Sequence, residues 1–394
     1  MSAHADPEPR RLVIGLAAAT GVRVVLNTAR RFAYPFAPAL ARALGVPFPG
    51  ITAMIAASQL VSLLAPVAGP LADRRGYRLA MAAGLGMLAA GMLGAGLVFR
   101  YPVVFAAVVL AALGKAVFDP AIQAYIGRHV PLARRGRAIG LTETAWAGST
   151  LLGIPLLGVV VAAFGWRAAL LGLGACGLVG LVVLVSVLPD PPGALGAGRH
   201  RPAPPWREIL AAPSTRSAMA FGFLISLAND NLFVVYGAFL EQRFGLGLTA
   251  LGAATAVVGV AELSGEGLTA ALADRVGLGR ALGLGALATA TGYALLPLAA
   301  GSLAGALASL FVLFAAYEFT VVTSFSVCTE VLPHARATLL SAYFAVLGLG
   351  RMTGALLGAP VWEVAGIGGT AAVSAATTAL AALIWTRSRP APSA

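Results

Sequence analysis

Twelve ionisable side chains interrupt apolar runs of this sequence: Arg23, Arg30, Arg31, Lys115, Asp119 and Glu143 in the first half, and Asp230, Glu262, Glu266, Glu318, Glu330 and Arg351 in the second. A charge in apolar surroundings costs kilocalories unless a cavity, water or a partner compensates it, so each is a candidate for function. Near the amino end, a helical repeat of about 100° per residue puts Arg23, Asn27, Arg30 and Tyr34 within an arc of about 60°, with Arg31 off to one side. A polar stripe of that kind lines water, a substrate or a carboxylate. Arg23 either snorkels to an interface or joins the lining, whereas Arg30 sits deeper and points to a cavity role.

Lys115 and Asp119 are four residues apart, close enough to pair along one helix face. The pair reads equally as a structural salt bridge and as a relay that a ligand opens. Glu143, in Thr142-Glu143-Thr144, has no partner on its own segment, and a lone carboxylate at depth suits reversible protonation. Glu262 and Glu266 stand one turn apart with Thr255 and Thr269 on the same face, and two carboxylates that close resist joint ionisation unless a cation intervenes. Asp230, between Asn229 and Asn231, either carries charge into the apolar core or caps a break in its helix. Glu318 adds a further acid, Arg351 can neutralise one of them, and Glu330 belongs to the loop that follows its segment. Among the aromatic residues, Tyr34 and Tyr317 are singled out because each lies beside a buried charge.

These residue types offer charge recognition and proton carriage rather than bond making. His4, His129, His200 and His334 all fall in tails or loops, so no His-based catalytic centre forms in the apolar core, and the chain is read as not being an enzyme. Cys176 and Cys328 lie in apolar runs without a second pair or a nearby His, as small hydrophobic filling rather than metal ligands. With no Gly-Lys-Ser/Thr phosphate loop, no nucleotide or other cofactor is expected, which leaves the proton gradient as the energy source.

The elements that position these groups follow from composition. Of 394 residues, 59% are hydrophobic and 11% charged, with a mean hydropathy of +0.88. A soluble domain is roughly half apolar and about a quarter charged, so this chain is an integral membrane protein. Apolar segments run over 12–38, 50–72, 79–99, 103–128, 137–164, 166–188, 216–244, 249–272, 280–299, 303–331, 337–364 and 367–386, twelve in all. Each has the length of a membrane-spanning helix, about 20 residues, and none shows the alternation of a barrel strand. The one long polar connection divides the chain into a bundle of six spans over 1–188, a cytoplasmic linker over 189–215 and a second bundle over 216–394. With both ends inside, the outer loops hold only Arg42, Arg100, Arg167 and Arg243, and the remaining loop and tail arginines fall on the inner side. The net charge of +12 is therefore a topology signal with some affinity for anionic membrane lipid, and no separate basic domain exists to bind nucleic acid.

The two halves repeat one another at a spacing of about 200 residues. Leu71-Ala72-Asp73-Arg74-Arg75-Gly76-Tyr77-Arg78 is matched by Leu272-Ala273-Asp274-Arg275-Val276-Gly277-Leu278-Gly279-Arg280, and Val130-Pro131-Leu132-Ala133-Arg134 by Leu332-Pro333-His334-Ala335-Arg336. At these residues the chain resembles the major facilitator superfamily of secondary transporters. Gly69, Leu71, Asp73, Arg74, Gly76 and Arg78 fit that family's loop signature after the second span, and Leu272, Asp274, Arg275, Gly277 and Arg280 are its second copy. Pro120-Ala121 through Arg134-Arg135-Gly136-Arg137 is similar to the junction of spans 4 and 5 in the twelve-helix drug and sugar efflux members. Gly148, Gly153, Pro155 and Gly158 resemble the glycine-proline signature of proton antiporters. Aligned on Pro120, Val108 falls where efflux members usually carry an intramembrane arginine.

The resemblance implies an all-α fold of twelve transmembrane helices in two pseudo-symmetric six-helix bundles, working as a functional monomer in the inner, cytoplasmic membrane of a bacterium. It implies alternating access, with Gly69, Asp73, Arg74, Gly76, Arg78, Asp274 and Arg275 in gating loops. Arginines there also suit the negative carboxyl ends of helices, and Asp73 can take helix amides or an arginine. Arg30, Asn27, Tyr34, Lys115, Asp119, Glu143, Asp230, Glu262, Glu266, Glu318 and Arg351 are the candidates for substrate binding and proton coupling. The expected activity is proton-coupled efflux of a small amphiphilic or charged organic solute. Proton-coupled import of an organic anion through Arg30 is the rival, and a non-transporting membrane sensor the remaining class.

Overall fold

A computed structural model describes residues 9–64, 76–188, 211–332 and 336–387, and these are helical, with no strand among them. The helices are α1 (Pro9–Arg31), α2 (Ala37–Leu44), α3 (Phe48–Leu60) with a 3-10 turn at Val61–Leu64, α4 (Tyr77–Leu97), α5 (Tyr101–His129) and α6 (Leu132–Gly148). A π-helical turn, Ser149–Gly153, leads into α7 (Ile154–Val187). After the linker come α8 (Pro213–Phe233), α9 (Tyr236–Phe244), α10 (Leu248–Val276), α11 (Leu278–Ala299), α12 (Leu303–Val331) and α13 (Arg336–Arg387).

Among the described residues, 8 helices are long and apolar enough to cross a membrane, or 9 if the bent pair α2 and α3 counts as one span. Twelve sequence segments become fewer helices because two continuous stretches of 50 residues, Ala138–Val187 and Thr338–Arg387, each hold two limbs. Each is kinked at a glycine of positive φ, Gly165 at 81° and Gly366 at 57°. Helix α1 is absent from the count, and Arg23, Arg30 and Arg31 lie along it.

The positive-φ glycines show the duplication in the backbone itself. They are Gly45, Gly76, Gly165, Gly245, Gly277 and Gly366, which form three pairs spaced 200 or 201 residues apart. Side chains with a Cβ are strained in that conformation, so the two halves keep glycine where the chain must close or kink a helix. Gly45 and Gly245 close α2 and α9, the short helices that follow the breaks in the first and seventh spans.

The first span departs from the continuous helix expected from the sequence. Helix α1 ends at Arg31 and the chain turns through Phe32–Phe36 before α2. Pro35 and Pro38 explain the break: each lacks an N–H, and each disfavours helical dihedrals in the residue before it. Tyr34 therefore does not continue the α1 stripe.

The described residues fall into two compact units, one within 1–32 and 67–200, the other within 33–66 and 201–394. The second thus takes in residues 33–66 from the first half of the sequence. Within the first unit α4 packs on α5 and α7, and α1 runs against α5, α6 and α7. Within the second, α8 lies along α13, α12 crosses α10 and α11, and α3 packs on α13. Gly350, Gly354 and Gly358 permit the α8 contact, because a Cβ at each would strike Phe223, Leu227 or Val234. Large apolar side chains such as Phe164 (74% exposed), Leu298 (80%) and Val364 (90%) point outward, as a surface bathed in lipid tails requires. Cys328 is buried as filling, whereas Cys176 is exposed.

Candidate functional site

In the first unit the charged residues of α1, α5 and α6 meet. The Arg23 guanidinium is 6% exposed and donates through Nε to Asp119 Oδ1 at 2.9 Å and through Nη1 to Glu143 Oε1 and the Thr142 carbonyl, both at 2.8 Å. Lys115 Nζ donates to the second Asp119 oxygen at 2.5 Å, and Gln123 Nε2 to Glu143 Oε1 at 2.6 Å. Each acid therefore has two donors, and Arg23 links both. One turn along α1, Asn27 Nδ2 donates to the Ala145 carbonyl at 3.0 Å. Arg31, 3% exposed, stacks over the Trp146 ring at 4.1 Å, with Lys115 Nζ 5.7 Å from the same ring. Arg30 is half-buried and near enough to Lys115 to repel it.

Local sequence explains how α1 comes so close to α6. A Cβ on Gly153 would run into the Thr28 hydroxyl, and one on Gly148 would press on Val24. The π turn at Ser149–Gly153 places these glycines, which the sequence comparison had set beside an antiporter signature.

The second unit holds a different arrangement. Asp230 is fully buried on α8, and its Oδ1 accepts from the Tyr34 hydroxyl at 2.7 Å. Its Oδ2 accepts from Arg351 Nε at 2.9 Å and from Asn229 Nδ2 at 3.2 Å. Gln59 Nε2 donates to the Tyr34 oxygen at 2.7 Å. Asn231 turns the other way and donates to the Thr370 carbonyl and the Ser374 hydroxyl. Helix α8 does break, at Val234 and Val235, but it is the Asp230 carbonyl that takes the Val234 N–H there; the side chain faces Tyr34 and Arg351 and is not a cap.

Three further acids of this unit lie on α10 and α12, which cross one another. Glu262 is buried, Glu266 and Glu318 are half-buried, and Gly265 lets the α10 backbone approach Ala315 and the Cβ of Glu318. Thr269 bonds the Phe319 carbonyl across the same crossing, and Thr255 pairs with the Tyr236 hydroxyl. Tyr317 is buried among Phe221, Ile225 and Val321. At the end of α10, Asp274 and Arg275 are exposed. Asp274, Gly277, Arg280 and Glu330 line an open cavity of about 540 Å³, so Glu330 stands with the repeated loop.

In the first copy of that loop, Gly76 takes a φ of 93° ahead of α4, and the Arg78 guanidinium bonds the Val185 carbonyl. Gly69, Asp73 and Arg74 lie outside the described residues. No cluster of His, Cys, Asp and Glu that could hold a metal ion occurs among the described residues.

Two expectations change at this level. Glu143 is not a lone carboxylate, because Arg23 and Gln123 reach it from α1 and α5. Arg31, set aside from the stripe, is as buried as Asn27 and packs against Trp146. Sequence reasoning passed over Gln59 and Gln123, and left Trp146 among the aromatics that pack or anchor. The first two are uncharged, and nothing but their position inside spans marks them.

The comparisons with known proteins agree with this architecture. A bacterial homologue of the human lysosomal transporter Spinster, in an inward-facing and unoccupied conformation, superposes with a TM-score of 0.74 over 98% of this chain and 100% of that one, at 17% identity. In sequence, the chain is 27% identical to the uncharacterised transporter YceJ of Bacillus subtilis (strain 168), over 74% of this chain and 75% of that one. It is 29% identical to a chloramphenicol resistance protein of Streptomyces lividans, over 57% and 55% respectively. The family model of the Major Facilitator Superfamily matches residues 20–355, most of the chain, and with the duplicated all-helical fold this establishes that the protein belongs to that superfamily of membrane transporters.

Proposed function

We propose that this transporter is a proton-coupled secondary exporter of a small amphiphilic or charged organic solute. The observation that carries the reading is the stock of intramembrane charge: Arg23, Lys115, Asp119 and Glu143 joined in one unit, and Asp230, Glu262, Glu266 and Glu318 with Arg351 in the other. Burying so many ionisable groups is costly, and carrying charged cargo or protons gives them a use. The likeness to a chloramphenicol resistance protein supports export. The six-helix halves, 1–188 and 216–394, act as the moving bodies joined by the linker, with the paired loop signatures as inner gates. The protein works as a monomer in the cytoplasmic membrane of a bacterium, both termini inside.

The test is flux in inverted vesicles or proteoliposomes under an imposed pH gradient. Solute accumulation that a protonophore abolishes supports the reading, and flux indifferent to the gradient overturns it. Import of an organic anion is the second reading, favoured by the cation Arg30 close to Lys115. Under that reading an inward proton gradient drives the solute in the proton's direction.

A further inference from the structure

We propose that a cavity between α9, α11 and α13 is a binding site for the headgroup of an anionic membrane phospholipid, with Arg243 as the residue that holds its phosphate. Phe239, Gln242 and Arg243 of α9, Leu298 of α11, and Trp362 and Ile367 of α13 line about 490 Å³ there. All of them belong to the second unit. Three interruptions of helix fall at this place: α9 ends at Phe244, α11 ends at Ala299, and α13 kinks at Gly366. Spanning helices end where a bilayer passes from hydrocarbon to headgroups, so the cavity lies at the depth of lipid phosphates. With both termini inside, that is the outer leaflet.

Charge in the cavity selects the ligand. The repeat puts a cation in the last turn of both short helices, Arg42 in α2 and Arg243 in α9. Arg42 is answered by an acid, Glu241 at 2.5 Å. Arg243 pairs with no acid among the described residues; its Nε donates to the Ala300 carbonyl at 3.3 Å, which fixes the guanidinium at the cavity and leaves its terminal nitrogens to a ligand. Glu363 follows Trp362 in the chain but does not line the cavity. A guanidinium is shaped to take two phosphate oxygens side by side. Around it the wall is apolar: the Trp362 ring stands edge-on to Phe239 at 6.5 Å, and Leu298 is among the most exposed apolar side chains of the protein. A tryptophan beside a cation, with a leucine turned to the lipid tails, takes a molecule that is anionic at one end and hydrocarbon at the other. A soluble anion gains nothing from the apolar wall, and a lipid with its own cation sets that cation against Arg243. An anionic phospholipid is the occupant that uses every part of the cavity.

The experiment uses Trp362 as the reporter. In the full chain the other tryptophans, Trp146, Trp166, Trp206 and Trp385, are replaced by phenylalanine. The protein is reconstituted in phosphatidylcholine with rising fractions of phosphatidylglycerol brominated on its acyl chains, since bromine quenches an indole only on contact. We expect Trp362 to be quenched about fivefold more readily by brominated phosphatidylglycerol than by brominated phosphatidylcholine, the weight of one arginine at a charged lipid surface. Arg243→Gln should bring the two lipids level, while Arg167→Gln, which removes another exposed arginine, leaves the preference in place. Equal quenching by both lipids in the parent, or a preference that survives Arg243→Gln, overturns the assignment. So does displacement of the brominated lipid by inorganic phosphate beyond that by chloride of equal ionic strength, which would make the ligand a soluble anion. Should the single-tryptophan chain not fold, native mass spectrometry of the parent and of Arg243→Gln in detergent decides. A phosphatidylglycerol adduct kept by the parent and lost in the variant supports the site, and one kept or missing in both overturns it. A dimer lost in the variant instead puts a second copy of the chain there and overturns it as well. Transport direction and coupling do not enter, so the outcome stands apart from the functional reading.

Discussion

In the first unit Arg23 stands at the centre of a web, with Asp119 and Glu143 as partners, Lys115 doubling its hold on Asp119, and Gln123 doubling that on Glu143. In the second unit Asp230 meets a single cation, Arg351, and its remaining donors are neutral. Exposure differs in the same sense: the Asp119 and Glu143 side chains are 26% and 43% exposed, and that of Asp230 is 0% exposed. A web with spare donors and some access to solvent tolerates loss of one member, whereas a single buried pair leaves an uncompensated charge when broken. In the first arrangement no acid depends on one donor alone, and in the second the whole countercharge rests on one guanidinium.

The sharpest way to break this contrast is Arg351→Ala. It strands a fully buried carboxylate, so we expect a loss of about 3–5 kcal/mol in the unfolding free energy measured in detergent. Arg23→Ala should cost less, about 1–3 kcal/mol, because Asp119 keeps Lys115 and Glu143 keeps Gln123. If Arg23→Ala proves the more damaging, the spare-donor account of the web is wrong. Glu143→Gln keeps the shape of a side chain that is already 43% exposed, and should shift stability by no more than about 1 kcal/mol. Smallest of all, Arg42→Ala removes a partner that is 63% exposed; a change of about 0–1 kcal/mol that fades as salt is raised is expected. A larger, salt-independent loss there would mean that the pair is shielded from solvent in a way its 63% exposure does not allow.

Much of the fold was legible because membrane insertion leaves a coarse signature. Apolar segments of spanning length, the arginine asymmetry and the repeated Asp-Arg loops each follow from local composition. Gly165 and Gly366 fall at the junctions of paired apolar segments, so even those kinks coincide with visible boundaries. The break after Arg31 was equally present in Pro35 and Pro38, yet a helical arc drawn through Tyr34 ignored them. The site was legible only in its parts. The i to i+4 pairing of Lys115 with Asp119 follows from helix geometry alone. The link from Arg23 to Glu143 spans 120 positions and that from Tyr34 to Asp230 spans 196, and no local periodicity encodes either.

By itself, then, the sequence determined that this is a duplicated helical membrane protein with charge held at depth, since lipid demands long apolar helices and penalises each charge residue by residue. Tertiary structure alone decided which charge answers which. It assigned Arg23 to Asp119 and Glu143, gave Arg351 to Asp230, and moved Tyr34 from the α1 stripe to a carboxylate of the second half. The reason is physical: a buried charge is satisfied by whichever donor packing brings within about 3 Å, and packing is set by helix crossings between segments far apart in the chain.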